Sequence, residues 1–551
     1  MKPIIYQLLP RLFSNTAPHC ICNGSITDNG VGKFNGINDA ALASIKKLGA
    51  THVWFTGVLR HATLTNYAPY GLDCYNAQIV KGKAGSPYAV SDYYDVDPDL
   101  AEDVTKRADE FSSLVKRTHK HHLKVIIDFV PNHVSRQYHS ISKPSGVADL
   151  GKNDRTDYFF EKDNNFYYLQ NQQLRLPFAE SNFVENPAKV TGNDCFSPTP
   201  SVNDWYETAK LNYGVDYSDG TRHFDPQPST WHKMLSILLF WCSKGIDGFR
   251  CDMVHMVPVE FWHWCIAQVK SKYPKVIFIA ELYDVGIYRS YLDYGGFDYL
   301  YDKVNLYDTL CGILRSQALA AALTGCWQRI DGINSRMLNF LENHDEMRLA
   351  SSLFLNNPQT ALPALVASLT MSKAPFMLYF GQELGEKGDD CEGFSGHDGK
   401  TSIFDYWVVD KIKRWYDGGA CDTKLLTAEE IDLRSYYQWI LGLTNSHPAL
   451  CDGDFFDLMY VNGDTLNPNS NYAYLRHSQN ETILVMLNFG DTPTQANVRI
   501  PQLAFAMFGI AEGSHEATDL KTSAHTSLSL AHDGCISVSV PPHNATLLKI
   551  C

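Results

Sequence analysis

The sequence predicts an α/β fold: a closed (β/α)8 barrel with an inserted domain after the third strand and a C-terminal antiparallel β-sandwich. Eight short apolar runs alternate with amphipathic helical stretches, which is typical of a buried parallel sheet. A long polar stretch follows the third run, and alternating strand-like runs replace the helical period near the C-terminus. A doubly wound sheet is the alternative, but no GxGxxG motif follows the first run.

The predicted barrel strands are short and mostly apolar, and helices are predicted between several of them. The strands are IIYQLLP (4–10), THVWFTGV (51–58), KVIIDFV (124–130), IDGFRCDMV (246–254), KVIFIAEL (275–282), FDYLYDK (297–303), RMLNFLE (336–342) and FMLYFG (376–381). Helices are predicted at 38–50, 102–122, 229–245 and 258–274. The first helix should stop at Gly49, because glycine readily adopts the left-handed conformation of a helix end.

These patterns divide the chain into four segments. Residues 1–133 and 216–454 form the two parts of the barrel. Residues 134–215, rich in Asn, Asp and Tyr, form the inserted domain. Residues 455–551 form the sandwich, because runs such as YAYLRH, TILVMLNF and CISVSV alternate and are separated by turn residues.

Composition narrows the classes of function and partner. The chain of 551 residues is 44% hydrophobic and 20% charged, which is typical of a soluble globular protein. Its formal charge of −14 argues against nucleic acid and anionic membranes as partners. The apolar stretch 361–381 is interrupted by Pro363, Lys373 and Pro375, so it is a poor membrane span. No signal-peptide pattern begins the chain and the fourteen cysteines form no CxxC pairs, so we expect a cytoplasmic protein with reduced thiols.

The segment GFRCDM (248–253) places two opposite charges on one side of a buried strand. Side chains alternate along a strand, so Arg250 and Asp252 share a face while Cys251 takes the other and packs on the helices. Burying two charges is costly unless they are paired or used, so the segment alone fits a structural ion pair as well as a functional site.

Polar residues at the ends of other predicted strands favour a functional site over a structural ion pair. DFVPNH ends the third strand with Asn132 and His133, Glu281 ends the fifth, and ENHDE (342–346) follows the seventh. Active sites of (β/α)8 enzymes are built at this end of the barrel. Asp128 lies inside its strand, and we interpret it as structural.

Four of these segments resemble the main sequence regions of the α-amylase family of glycoside hydrolases, glycoside hydrolase family 13. They are DFVPNH, GFRCDM, the AEL around Glu281, and FLENHD, in that family's order and at compatible spacings. QLLPRLF, PYAVSDYYDVDP and MLYFGQELG extend the resemblance over most of residues 1–450. The resemblance implies a retaining hydrolase that cleaves α-glucosidic bonds of maltooligosaccharides or related short α-glucans through a covalent glycosyl-enzyme intermediate.

The resemblance also implies a role for each carboxylate. Asp252 matches the nucleophile, Glu281 the general acid/base, and Asp345 the third carboxylate, which binds sugar hydroxyls. Arg250 should hold Asp252 ionised, because a nearby cation lowers the pKa of a carboxylate. Glu281 must stay protonated to act as an acid, so we expect its pKa to lie above that of an exposed glutamate.

Four further residues are expected to bind substrate. His133 and His344 match family histidines that bond to sugar hydroxyls beside the nucleophile, and Tyr88 matches a tyrosine that stacks on the same sugar. Arg250 completes the set. Strict alternation would not direct both His344 and Asp345 inward, so this pair depends on the resemblance.

The resemblance bears on calcium as well. Asn132 matches a calcium ligand of the family at the junction of barrel and inserted domain. Lys210, in AKLN (209–212), stands where typical calcium-binding members carry an aspartate. An ammonium group cannot coordinate Ca²⁺ and can replace its charge, so we expect no calcium at this junction and no required cofactor.

Two alternatives to hydrolysis stay open at this point. The same residues would serve an α-glucan glucosyltransferase or an isomerising enzyme, in which a sugar replaces water as the acceptor. A noncatalytic binding protein with this fold is the remote alternative, because all three carboxylates are present. The sequence does not indicate the linkage, the endo or exo mode, or the oligomeric state.

Overall fold

A computed structural model describes residues 1–550, and its centre is a closed barrel of eight parallel strands. In chain order, barrel strands one to eight are Ile4–Leu8, His52–Phe55, Lys124–Phe129, Gly248–Cys251, Ile277–Ala280, Tyr299–Tyr301, Met337–Phe340 and Phe376–Tyr379. Each strand pairs with its neighbours in chain order, and the eighth closes on the first with Ile5 opposite Met377. The predicted barrel is therefore confirmed.

Alternate residues of these strands fill the inside of the barrel. The inner apolar cluster consists of Ile5, Trp54, Ile126, Ile279, Tyr301, Tyr307, Leu338, Phe340 and Met377. Phe249 and Cys251 lie instead in the larger core on the outer side, together with Trp262 of a covering helix. The predicted alternation along GFRCDM is confirmed, and Cys251 packs as expected.

The four predicted helices are confirmed with shorter bounds: Asp39–Leu48, Arg107–Lys120, Ser229–Ser243 and Val259–Lys272. The side chain of Asn38 caps the first by accepting the N–H of Ala41, and Gly49 ends it with a φ of 115°. The remaining α-helices are Pro10–Phe13, Ile26–Asn29, Asp308–Leu314, Leu323–Arg329, Leu362–Thr370, Asp410–Tyr416, Ala428–Ser446, Pro448–Asp452 and Gln502–Phe508. Among residues 1–550, no helix has the length and apolar character needed to cross a membrane.

Two elements differ from the prediction. The first strand ends at Leu8 rather than at residue 10, because Pro10 starts the helix Pro10–Phe13. Proline lacks an N–H for the sheet and fits the first turn of a helix. The helix Gln502–Phe508 lies within the C-terminal region that was predicted to contain only strands.

The chain between the third and fourth barrel strands forms two small antiparallel sheets. His133–Ser135 pairs with Thr208–Lys210, and Tyr168–Leu169 pairs with Ala188–Lys189. A separate apolar cluster fills this region and also contains Ile79 from the loop after the second barrel strand. We keep 134–215 as the proposed inserted domain. Its sheet places Lys210 directly opposite His133, at the edge of the barrel.

The C-terminal region is an antiparallel sandwich around its own core, as predicted. Its six-stranded sheet contains Asp454–Asp457, Asn471–Ser478, Glu481–Asn488, Asn544–Lys549, Gly513–Asp519 and His525–Leu530 in spatial order. The facing pair is Thr494–Arg499 with Cys535–Val540. Side chains from both layers, including Leu484 and Val538, share the core.

Candidate active site

A pocket of about 510 Å³ lies at the C-terminal ends of the barrel strands and brings together most of the predicted site residues. The predicted residues that line it are Tyr88, His133, Asp252, Glu281, His344 and Asp345. Asp252 directly follows the fourth strand and Glu281 directly follows the fifth. Both therefore continue the inward row of their strands, which places them at the floor of the pocket.

Arg250 lies beneath the pocket and contacts both of these carboxylates. Its Nη1 is 2.6 Å from Asp252 Oδ1, and its Nη2 is 2.9 Å from Glu281 Oε1. The guanidinium is buried and lies 5.3 Å from the ring centre of Tyr88. One planar cation thus holds two acids at a fixed separation, which a lysine could not do as rigidly.

The pKa values of Asp252 and Glu281 shift in directions opposite to those expected from the sequence. Burial and the neighbouring charge of Glu281 raise the pKa of Asp252 well above its usual value, despite the contact with Arg250. Burial alone would raise the pKa of Glu281, but Arg250 and two hydrogen bonds lower it. Tyr283 donates its hydroxyl to Oε1 at 2.6 Å, and the N–H of Met253 donates to Oε2 at 2.9 Å. The two shifts favour protonation of Asp252 over protonation of Glu281 in the unliganded site.

Met253 reaches Glu281 from an uncommon backbone conformation. Its φ is 42° and its ψ is 48°, in the left-handed region that most residues avoid at a cost of about 1–2 kcal/mol. The turn directs the N–H of Met253 toward the carboxylate of the next strand. Such strain is commonly found at functional sites.

His344 and Asp345 both reach the pocket because the seventh strand ends at Phe340, so strand alternation no longer applies. His344 is buried, and burial followed by the charge of Arg250 lowers its pKa to about 3. Gln7 donates to Nδ1 at 2.9 Å, which leaves the proton on Nε2, 2.5 Å from the hydroxyl of Tyr88. The side chain of Asp345 is 42% exposed; desolvation within the pocket, and then the charge of Glu281, raise its pKa to about 6.

His133 lies on the opposite side, where the inserted segment meets the barrel. Its ring centre is 5.1 Å from that of Trp205 at an angle of 56°. Burial, and then the charge of Lys210, lower its pKa to about 3, so His133 is neutral. A neutral imidazole can both donate to and accept from sugar hydroxyls.

Asp128 supports the site from below. It accepts hydrogen bonds from Trp54 Nε1 at 3.1 Å, from the N–H of Gly57 at 3.2 Å and from the Tyr88 hydroxyl at 3.3 Å. It does not line the pocket. These contacts fit the structural interpretation made from the sequence, and they connect Asp128 to the orientation of Tyr88.

Several residues in or beside the pocket escaped the sequence reasoning. Gln7 could have been found, because it continues the inward row of the first strand after Ile5. Tyr283, two residues beyond Glu281, lines the pocket from the segment after the fifth strand. Lys81, Trp205 and Glu207 line the pocket from irregular segments, where no periodic signal marks them.

Lys210 occupies the position at which the resemblance suggested a calcium site. Its ammonium group is buried, 2.9 Å from Asn132 Oδ1 and 2.5 Å from Asp194 Oδ1. A cation that already bonds to these oxygens leaves them unsuited to Ca²⁺ at this point. Among residues 1–550, no group of three or more His, Cys, Asp or Glu side chains could hold a metal ion.

Comparisons with known proteins identify a family model and relatives that this chain resembles. Residues 7–477 match the family model described as the alpha amylase catalytic domain. "Alpha-amylase 3" of Dictyoglomus thermophilum is 23% identical over 425 residues, which cover 73% of this chain and 74% of that protein. A cyclomaltodextrinase of a Bacillus species is 24% identical over 504 residues, covering 88% of this chain and 72% of the relative.

Solved structures show the same fold over the whole chain. The maltogenic α-amylase AmyB of Thermotoga neapolitana has a TM-score of 0.64 and 18% identity, and the alignment covers 100% of this chain and 98% of that one. The α-amylase GTA of Geobacillus thermoleovorans, solved with acarbose, has a TM-score of 0.66 and 20% identity, with coverages of 100% and 98%.

Proposed function

Since its match to the catalytic-domain model covers most of its length, the chain belongs to the α-amylase family, and we propose that it is a retaining hydrolase of α-glucosidic bonds. Its proposed substrates are maltooligosaccharides or related short α-glucans. The observation that carries this proposal is the pair Asp252 and Glu281, held by one guanidinium at the floor of a pocket.

The spacing of this pair supports retention over inversion. Retaining glycosidases place two carboxyl groups about 5 Å apart, whereas inverting enzymes leave about 6.5–9.5 Å so that a water fits between them. A single guanidinium contacts both Asp252 and Glu281, which favours the shorter spacing. Asp252 would attack the anomeric carbon, and the bond to the leaving oxygen would break as Glu281 protonates that oxygen.

The proton count of the pair also suits the first step. That step needs one proton, on Glu281, while Asp252 is ionised. In the unliganded pair the directions of the pKa shifts favour a proton on Asp252 instead. We propose that substrate binding moves this proton to Glu281, since Arg250 contacts both acids and remains to stabilise the Asp252 anion. In the second step the Glu281 carboxylate would take a proton from a water molecule. The oxygen of that water would attack the anomeric carbon, and the bond between this carbon and Asp252 would break.

The surrounding residues would hold the reacting sugar. Tyr88 offers an aromatic face, and His133 and His344 are neutral donors and acceptors on two sides of the pocket. Asp345, ionised above a pH of about 6, would accept hydrogen bonds from sugar hydroxyls.

Digestion of maltoheptaose, followed by proton NMR, tests this proposal. The enzyme should release short products that first appear as the α-anomer, and Asp252→Asn should lower the rate by about 10³-fold or more. β-Anomeric products would contradict retention. Longer products with few new reducing ends would instead indicate the glucosyltransferase alternative, and no turnover on a wider α-glucan panel would favour a binding protein.

A further inference from the structure

One wall of the pocket contains a buried ion pair that the proposed reaction does not use. Lys81, from the loop after the second barrel strand, places its Nζ 3.0 Å from Oε1 of Glu207 in the inserted segment. Their side chains are 12% and 6% exposed. Both line the same pocket as Asp252 and Glu281. The pair thus joins two segments outside the barrel at the edge of the reaction centre.

The pair has hydrogen-bonding capacity left over, and both of its residues line the pocket. Oε2 of Glu207 is buried and has no hydrogen-bond partner among the described residues. An unpaired buried polar atom is costly, so a ligand hydroxyl that donates to Oε2 would relieve part of that cost on binding. Lys81 carries three N–H donors, and its contact with Glu207 satisfies only one of them.

An aromatic ring adjoins the ion pair. Trp205 lines the pocket, is partly exposed, and contacts the ring of His133 with its own centre 5.1 Å away. An apolar ring face beside a carboxylate and an ammonium group suits a sugar, which has C–H faces and a rim of hydroxyls. Trp205 packs against His133, which the proposed function places at the reacting sugar, so its ring is available to a neighbouring sugar unit.

We propose that Lys81, Trp205 and Glu207 form a sugar-binding subsite for the glycosyl unit next to the one held at His133. Glu207 Oε2 accepts a hydrogen bond from a sugar hydroxyl, and Lys81 donates a hydrogen bond to a neighbouring hydroxyl oxygen. Trp205 packs on the face of the sugar ring. The enzyme therefore favours chains that extend past the scissile pair of sugars. This inference rests on the proposed function, because it assigns a chain-length preference to the same site.

Kinetics on maltotetraose and maltose test the subsite. Glu207→Gln and Lys81→Met should each lower the ratio of kcat/KM for maltotetraose to that for maltose by about tenfold, and Trp205→Ala by a similar factor. An equal loss on both sugars would overturn the proposal, because the residues would then act on the reacting unit or on folding. Thermal unfolding of each variant separates loss of fold from loss of recognition.

The pair Arg136 and Glu185 supplies the matched control. Arg136 Nη1 is 2.6 Å from Glu185 Oε1 in the inserted segment, and neither residue lines the pocket. Glu185→Gln removes a buried ion pair of the same kind and should leave the ratio unchanged. A fall in the ratio for this variant equal to that for Glu207→Gln would show a general effect of the inserted segment and overturn the subsite.

Binding separates failure of the subsite from failure of the proposed function. If the wild-type enzyme cleaves neither sugar, the proposed hydrolysis fails, and calorimetric titration with maltotetraose decides the subsite alone. The affinity should fall about tenfold in Glu207→Gln and stay constant in Glu185→Gln. Equal affinity in Glu207→Gln and wild type, or absence of binding to the wild type, would overturn the subsite.

Discussion

Two buried cations in this molecule hold carboxylates in different ways. Arg250, at the floor of the pocket, contacts Asp252 and Glu281 and lies 3.7 Å from Asp128. Lys210, at the edge of the inserted segment, contacts one carboxylate, that of Asp194, and one neutral amide. The single positive charge of Arg250 thus faces three carboxyl groups, whereas that of Lys210 faces one.

The excess of acid explains why the two regions differ in chemistry. Burial raises the pKa of Asp128 to about 6 and that of Asp252 well above its usual value, although Arg250 opposes both shifts. For Lys210, burial lowers the pKa and Asp194 partly restores it. Surplus charge beside a pocket gives a site that exchanges protons, whereas a matched pair away from the pocket supports the fold.

Of the changes at the two buried cations, Arg250→Met should have the largest effect on activity and stability. Without the guanidinium, activity on maltoheptaose should fall by roughly 10²–10⁴-fold, because the proposed acid Glu281 and the proposed nucleophile Asp252 lose their shared support. The free energy of unfolding at pH 7 should fall by about 3–5 kcal/mol. The loss should be smaller at pH 5, since protonated acids no longer need the cation. Urea unfolding at both pH values measures it, and an equal loss at both would contradict the charge argument.

The pH dependence of activity should follow the pocket acids alone. Asp345 must be ionised to accept hydroxyl hydrogen bonds, and its pKa is about 6, so kcat/KM should fall as pH drops through 6, approaching tenfold per unit. A second proton on the pair would add a further fall at lower pH, because Asp252 could then no longer be the anion while Glu281 is protonated; the pKa of Glu281 lies below its ordinary value. On the alkaline side, activity should fall when the pair loses its last proton. A flat profile between pH 5 and 7 would remove Asp345 from the reaction.

Lys210→Met should affect stability and leave the chemistry in place. The change removes the donor from the buried oxygen of Asn132, which costs about 1–3 kcal/mol. Activity per folded molecule should stay within about threefold of the wild type, and the acid limb of the pH profile should not move. Denaturant unfolding and kcat/KM measured on one preparation test both points. A tenfold loss of activity in folded protein would make the junction part of the reaction centre.

Chelation should have the smallest effect. EDTA should change the wild-type Tm by less than about 1 °C, because an ammonium group supplies the charge at the junction. Lys210→Asp is the matched control: it sets a second carboxylate beside Asp194 and Asn132, and added calcium should then raise its Tm. An EDTA-induced fall in wild-type Tm would reveal a metal site elsewhere in the chain.

Periodicity was sufficient to predict the barrel and the floor of the pocket. Arg250, Asp252 and Glu281 continue the inward rows of two neighbouring strands, so alternation alone places them together. The order of the pKa values was not predictable in this way. It depends on which acid receives more hydrogen bonds, and the donors to Glu281 are a tyrosine beyond the strand and a backbone N–H in a left-handed turn.

The wall of the pocket was also beyond the sequence. Lys81 and Glu207 are far apart in the chain and lie in segments whose course is fixed by tertiary packing. Ile79, two residues before Lys81, is buried in the apolar cluster of the inserted segment, and this contact brings the loop to the pocket. No local sequence pattern predicts that Lys81 and Glu207 come into contact.

Because the first barrel strand pairs with the eighth, the barrel and its site can form only late in the synthesis of the chain. Ile5 pairs with Met377, and the link from Gln7 to His344 likewise joins distant parts of the chain. At about 5–20 residues per second, a ribosome needs some tens of seconds to deliver the eighth strand after the first. Throughout that interval the growing sheet has open edges, which can pair with other chains. The barrel thus exists first as an open sheet, and its pocket is completed only after Phe404, which lines it, has been made.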